Sequence, residues 1–195
     1  MNEKLIELAM TQILHNIEPN PNPNGLLREG LRKTPQRVAK AMTEWFGGVG
    51  ADIPKLLTTF EDGAENADEM VAVCNIPFYS KCEHHLADII GVATVAYIPN
   101  GRIVGLSKLN RVVDAFARRP QVQERMTNDI ANALMEHLRP LGVGVRIAAR
   151  HMCMESRGVK QRGQFTITTA IRGAMKDEPE TRAEFMALPL DTVNL

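Results

Sequence analysis

Val143-Gly144-Val145-Arg146-Ile147-Ala148-Ala149-Arg150-His151-Met152-Cys153 runs from apolar side chains into an imidazole and a thiol. Side chains alternate along a strand, so Val143, Val145, Ile147, Ala149, His151 and Cys153 share one face. Arg146 and Arg150 fall on the other. The pattern predicts a strand over about 143–153 whose buried face leads directly into His151 and Cys153. A second strand is expected at about 164–172. Upstream, Val122, Met126, Ile130, Leu134 and Leu138 form a helical stripe ended by Pro140 and Gly142. Pro120 separates it from an earlier helix that Ser107 is placed to cap, with Leu109, Val112, Val113 and Phe116 turned inward. Before that, Val71–Cys74, Ile90–Ile98 and Ile103–Leu106 read as strands, the last two joined as a hairpin at Asn100-Gly101. The order β-β-β-α-α-β-β gives an α+β domain over 70–195, an antiparallel sheet with two helices on one face.

Residues 1–69 read as a helical N-terminal arm. Leu5, Leu8, Ala9, Ile13 and Ile17 lie at helical spacing within 4–17. Pro19-Asn20-Pro21-Asn22-Pro23-Asn24-Gly25 cannot continue a helix and reads as a linker. Thr34-Pro35 suits a helix start, with Thr34 as N-cap, and Gly47-Gly48 a stop. Residues 61–69 are acidic and polar and are expected to be a loop.

The chain has 195 residues, 44% apolar and 24% charged, with formal net charge zero. That is enough for one domain with a sizeable core plus an accessory arm. A nucleic-acid partner would call for a basic excess, and a membrane span for about eighteen consecutive apolar residues. Neither occurs, and the N-terminus lacks a signal-peptide pattern, so a cytoplasmic protein with no nucleic-acid or membrane partner is expected. Three cysteines in a reducing compartment make disulfides unfavourable. Cys74, in an apolar run, reads as a small buried hydrophobe.

The chemistry concentrates in Cys82-Glu83-His84-His85 and His151-Met152-Cys153. Thiolate and imidazole are ligands that zinc prefers. Cys82, His85 and Cys153 make three ligands, one short of a closed tetrahedron. Catalytic zinc sites keep such a position open. Cys82 and His85 are three apart and would face opposite ways in a strand, so the segment must turn, freeing His84 to stand beside the ion. A lone C-x-x-H is weak evidence; two such segments in a chain with few His and Cys are stronger.

These segments resemble GTP cyclohydrolase I. The resemblance runs through Thr34–Lys40, Phe78–His85, Gly105–Arg111, Arg118–Arg125, His151–Gly158 and Thr181–Phe185, in the family's order and spacing. It implies a tunnelling fold whose subunits join their sheets in a β-barrel ring, two pentamers stacking into a homodecamer with active sites between subunits. It implies one Zn2+ per subunit on Cys82, His85 and Cys153, with His84, His151 and Ser107 catalytic, Ser107 as the partner of His84 at the ribose. Gln123 and Glu124 resemble the pair that reads the guanine edge. Lys108, Arg111 and Arg157, with Ser107, resemble the ribose-triphosphate contacts, and Arg37 and Lys40 phosphate contacts from a neighbour. The implied reaction converts GTP to 7,8-dihydroneopterin triphosphate and formate, the first step of pterin and folate-type biosynthesis. Two departures stand out: Lys81, where the family often has an uncharged residue, and Ala87-Asp88-Ile89-Ile90.

The residue types suit that chemistry. Zinc lowers the pKa of bound water to about 7. An imidazole near its ordinary pKa can protonate N7 of guanine, a role given to His151. Arginine forks suit phosphate oxygens, and the Glu124 carboxylate can accept from N1–H and the 2-amino group together. Arg118, Arg119 and Arg125 read as solvated surface residues. A zinc nucleobase deaminase would need H-x-E and P-C-x-x-C, which are absent. A non-catalytic zinc- and nucleotide-binding oligomer of the same fold would have no use for His84, His151 and Ser107. A structural zinc site would need a fourth ligand, for which Cys74 is the spare thiol.

Overall fold

The computed structural model describes residues 1–18, 26–64 and 67–192. The linker expected at 19–25 lies outside the described residues, as do Glu65 and Asn66 of the acidic stretch. The chain divides into two compact units, Met1–Gly47 and Gly48–Leu195.

In the first unit, α1 (Glu3–Ile17) packs on α2 (Thr34–Trp45), with a short 3-10 turn at Glu29–Leu31 between them in sequence. Asn2 caps α1 by accepting from the Leu5 amide at 3.2 Å. Thr34 is the first helical residue of α2 and not its cap; Lys33 holds that position without a side-chain bond. Pro35 at the second position needs no intrahelical donor, so the helix starts one residue early. Ala39 faces inward, while Arg37 and Lys40 are exposed, three apart on the outer face.

The second unit begins with α3 (Ile53–Leu56) and β1 (Thr59–Phe60), then β2 (Val71–Cys82), β3 (Asp88–Ile98) and β4 (Ile103–Val104). Helices α4 (Leu106–Ala117) and α5 (Gln123–Leu138) flank β5 (Pro120–Gln121). β6 (Gly142–His151), α6 (Met152–Glu155), β7 (Thr166–Gly173), α7 (Ala174–Asp177) and α8 (Pro179–Ala187) complete it. The main sheet has the order β5-β2-β3-β6-β7, antiparallel except for the short parallel β2–β5 pairing. This is the expected α+β sheet, with α4 and α5 on one face. Val95, Tyr97, Val143, Val145 and Ile147 meet Leu109, Val113, Ile130 and Leu134 in the core there, all at most 1% exposed.

Several expectations change. β2 continues from Val71 through Cys82, beyond the apolar run, with an irregularity between Val73 and Ile76 where Asn75 takes φ +56°. Pro77 hides this continuation in the sequence, yet among the described residues β2 lacks a partner on its outer side before Lys81, and edge strands tolerate proline. Ile103–Val104 does not form a hairpin with β3. Both edges of β3 are taken by β2 and β6, so β4 pairs with β1 instead. Gly105 precedes α4 and no side chain caps it, so Ser107 lies inside the first turn. Helices α7 and α8 escaped the sequence reading. They cover the opposite sheet face at one end, where fully buried Phe185 and Met175 pack with Ala96 and Ile98. A Cβ at Gly144 would lie 2.6 Å from the Phe185 ring, so glycine there makes room for it.

Among the described residues no helix is long and apolar enough to cross a membrane.

Phe185→Ala should cost about 3 kcal/mol of stability in chemical denaturation, the usual loss for a buried aromatic ring. A loss below about 1 kcal/mol would mean that α8 does not hold this sheet face.

Candidate metal centre

Two chain reversals meet at one end of the sheet. The β2–β3 connection turns tightly: the Leu86 amide donates to Cys82 O at 2.8 Å and the Cys82 amide to Ala87 O at 2.9 Å. Leu86 adopts φ +53° to close it. The expected turn in Cys82–His85 is therefore present, and it throws His84 outward, its side chain 65% exposed. On the other side of β3, Ile89 pairs with His151, the last residue of β6. Cys153 does not lie on that strand. The chain passes into the helical turn Met152–Glu155, so Cys153 reaches the site from a turn and shares no strand face with His151. Arg150 and Glu155 clamp this reversal with a two-pronged ion pair, 2.7 and 2.5 Å. That pair holds the Glu155 carboxyl below its usual range.

The Cys82 and Cys153 sulfurs and a His85 nitrogen lie within 4.8 Å of one another. Cys82 Sγ is 3.7 Å from His85 Nδ1. Ligand atoms on one tetrahedral zinc, with bonds of roughly 2.3 Å to sulfur and 2.0 Å to nitrogen, stand about 3.5–3.8 Å apart. The donor set and spacing fit a cation. Burial first, and the neighbouring Cys82 sulfur next, push the Cys153 thiol up, so cation uptake releases protons. Cys74 sits eight residues before Cys82 on the same extended strand, about 26 Å away at strand rise, too far to be a fourth ligand. It is half-buried.

Around this cluster, Arg157 Nη1 stands 2.9 Å from His85 Nε2, and His84 Nδ1 3.8 Å from Cys82 Sγ. His151 is partly buried, which lowers its pKa, while the charge of Glu124 acts the other way. A cavity of about 220 Å³ adjoins His151, bounded by Glu155, Gln161, Gln164 and Phe165. Glu124 is exposed at the first turn of α5, whereas Gln123 beside it is buried. The Gln123 amide bonds to protein on both ends and is withheld from solvent.

Other predicted residues are not gathered here. Tyr97 Oη accepts from the Val104 amide, which fixes the start of α4 near the Tyr97 end of β3. Tyr97 is eight residues from Ile89, about 27 Å along the strand. Exposed Ser107 and half-buried Lys108, in the first turn of α4, therefore lie far from the cluster of their own chain, and exposed Arg111 follows further along the helix. Arg37 and Lys40 belong to the first unit.

Residues read as plain surface have structural partners. Arg125 forms an ion pair with Glu83, tying α5 to the metal turn. Arg119 is partly buried, donates to Gly48 O and Ala115 O at 3.0 Å and stacks on Phe116. The two departures from the family pattern meet: Lys81 pairs with Asp88 across the base of the turn. Buried Gln121, missed in the sequence, receives the Glu83 amide on its carbonyl at 3.0 Å.

The GTP cyclohydrolase I family model matches residues 6–189. The chain belongs to the GTP cyclohydrolase I family. GTP cyclohydrolase 1 of Janthinobacterium sp. (strain Marseille) is 56% identical over 161 residues, 83% of this chain and 81% of that protein. The same-named protein of Acetivibrio thermocellus is 47% identical over 189 residues, 96% of this chain and 97% of that one. A solved structure, the archaeosine synthase QueF-Like in the apo form, overlaps 53% of this chain and 93% of its own at TM-score 0.45 and 18% identity. For this member of the GTP cyclohydrolase I family, the matched span contains every residue of the cluster.

Cys153→Ser should lower bound metal at least tenfold, whereas Cys74→Ser should leave it unchanged, both read by elemental analysis after gel filtration. Loss of metal on replacing Cys74 would contradict the three-residue site.

Proposed function

We propose that the protein carries out the zinc-dependent hydrolysis and rearrangement of GTP to 7,8-dihydroneopterin triphosphate with release of formate, opening a pterin and folate-type pathway. The observation that carries this is the three-donor cluster with two non-ligand histidines beside it, in a chain that aligns with GTP cyclohydrolases over nearly its whole length. Cys82, His85 and Cys153 hold one zinc per subunit. A zinc held by these three residues would supply Lewis acidity, lowering the pKa of a bound water to about 7.

The chain's own residues do the remainder. Glu124 accepts from the guanine N1–H and 2-amino group and orients the ring. His151 passes a proton to N7, making C8 electrophilic. Exposed His84, with Ser107, handles protons at the ribose. Lys108, Arg111, Arg157, Arg37 and Lys40 offset the triphosphate charge. We keep 1–69 as the arm and 70–195 as the catalytic part, noting that Ile53 and Leu57 join the core of the second unit.

The distance between the start of α4 and the metal cluster supports a site shared between subunits. Ser107, Lys108 and Arg111 of one subunit then serve the cluster of another. The sheet suits such an assembly. β7 at one edge and the Val71–Ser80 stretch of β2 at the other have no strand partner on their outer sides among the described residues. Open edges of this kind invite pairing with a neighbour, and head-to-tail pairing closes a ring. We infer a β-barrel ring, with two pentamers forming the homodecamer, in a reducing cytoplasmic setting where Cys82 and Cys153 stay free of disulfides.

Incubation with GTP should yield formate together with a pterin that fluoresces after oxidation; GTP left unchanged by zinc-loaded protein would overturn the assignment. Co-assembling His151→Asn and Lys108→Ala chains, each inactive alone, should restore turnover. No recovery from verified mixed oligomers would mean that each site is built within one subunit.

A further inference from the structure

Gln123 is 2% exposed, and its side chain spans the gap between β6, β7 and the imidazole of His151. Its amide nitrogen lies 2.8 Å from Thr166 O, 3.2 Å from Ile147 O and 3.1 Å from Thr168 Oγ1. Two of those neighbours are carbonyl oxygens, which only accept. The amide therefore has one chemically sensible orientation, with –NH2 toward the carbonyls; the flipped form would set three oxygens against one another. Thr127 locks the arrangement further. Its hydroxyl lies 2.6 Å from Thr168 Oγ1 and donates to Gln123 O at 2.8 Å.

With the nitrogen fixed, Gln123 Oε1 faces His151 Nε2 at 2.7 Å. An amide oxygen only accepts, so Nε2 must carry the hydrogen. The neutral imidazole then has its lone pair on Nδ1, for which no protein partner exists among the described residues.

We infer that Gln123 is a positioning residue: its buried amide fixes the orientation of the His151 ring and holds it in the Nε2–H tautomer, which leaves Nδ1 as the ring nitrogen that no protein group holds among the described residues. This rests on the reading of His151 as a proton carrier and changes the part taken by Gln123, whose side chain is committed to the protein and unavailable to a guanine edge.

Nitrogen-15 NMR of the zinc-loaded protein with labelled histidine tests this directly. At a pH where His151 is neutral, its Nε2 should resonate as a protonated, pyrrole-type nitrogen and its Nδ1 as an unprotonated one; His151→Asn identifies the signals by their loss. A protonated Nδ1 in the neutral form would overturn the inference. Gln123→Met should lower kcat about 10- to 100-fold with KM for GTP little changed and zinc content intact, the scale of losing a partner that orients an imidazole. A rise in KM with kcat preserved would instead make Gln123 a substrate reader and overturn the inference. Should Gln123→Met not fold, the spectrum of the unaltered protein still decides. Full turnover by His151→Asn would sink the proton-carrier reading while leaving the tautomer assignment to the spectrum.

Discussion

The antiparallel pairing of β3 with both β2 and β6 is the constraint on which the rest depends. It sets the β2–β3 turn and the end of β6 side by side, since Lys81 pairs with Asp88 and Ile89 with His151. A slip of one residue would move every side chain to the opposite face. The register is pinned by the apolar face of the sheet against α4 and α5. The same packing that buries Val95, Val145 and Ile147 therefore brings two sulfurs and an imidazole within reach of one cation.

Polar ties convert that approximate meeting into a defined site. Glu83 with Arg125, Lys81 with Asp88, and Arg150 with Glu155 brace the two reversals that carry the ligands. The most solvent-exposed of these, Glu83 with Arg125, contributes little stability by itself. The value of these pairs is in fixing the turns, because ligand geometry depends on the groups behind the ligands. The partly buried chain His151–Gln123–Thr168–Thr127 does the same for the neighbouring imidazole, linking β6, β7 and α5.

The metal cluster was legible in the sequence because its residue types are rare and chemically narrow. Both long helices were legible because their apolar stripes keep a helical period. The continuation of β2 was hidden by Asn75 and Pro77, which only an irregular, open edge admits. The hairpin expected at Asn100-Gly101 does not form, since one edge of β3 is taken by β2 just before it and the other by β6, more than forty positions on. The departure of Cys153 from the strand face, and the inward aim of Gln123 beside outward Glu124, depend on a single residue's rotation at an element boundary. Periodicity does not resolve that.

X-ray absorption spectroscopy at the zinc edge of the loaded protein tests the central claim most directly. The account predicts two sulfur scatterers near 2.3 Å, with one imidazole and one further light atom near 2.0 Å supplied by solvent. Three sulfurs, or a second imidazole in place of the solvent atom, would contradict it.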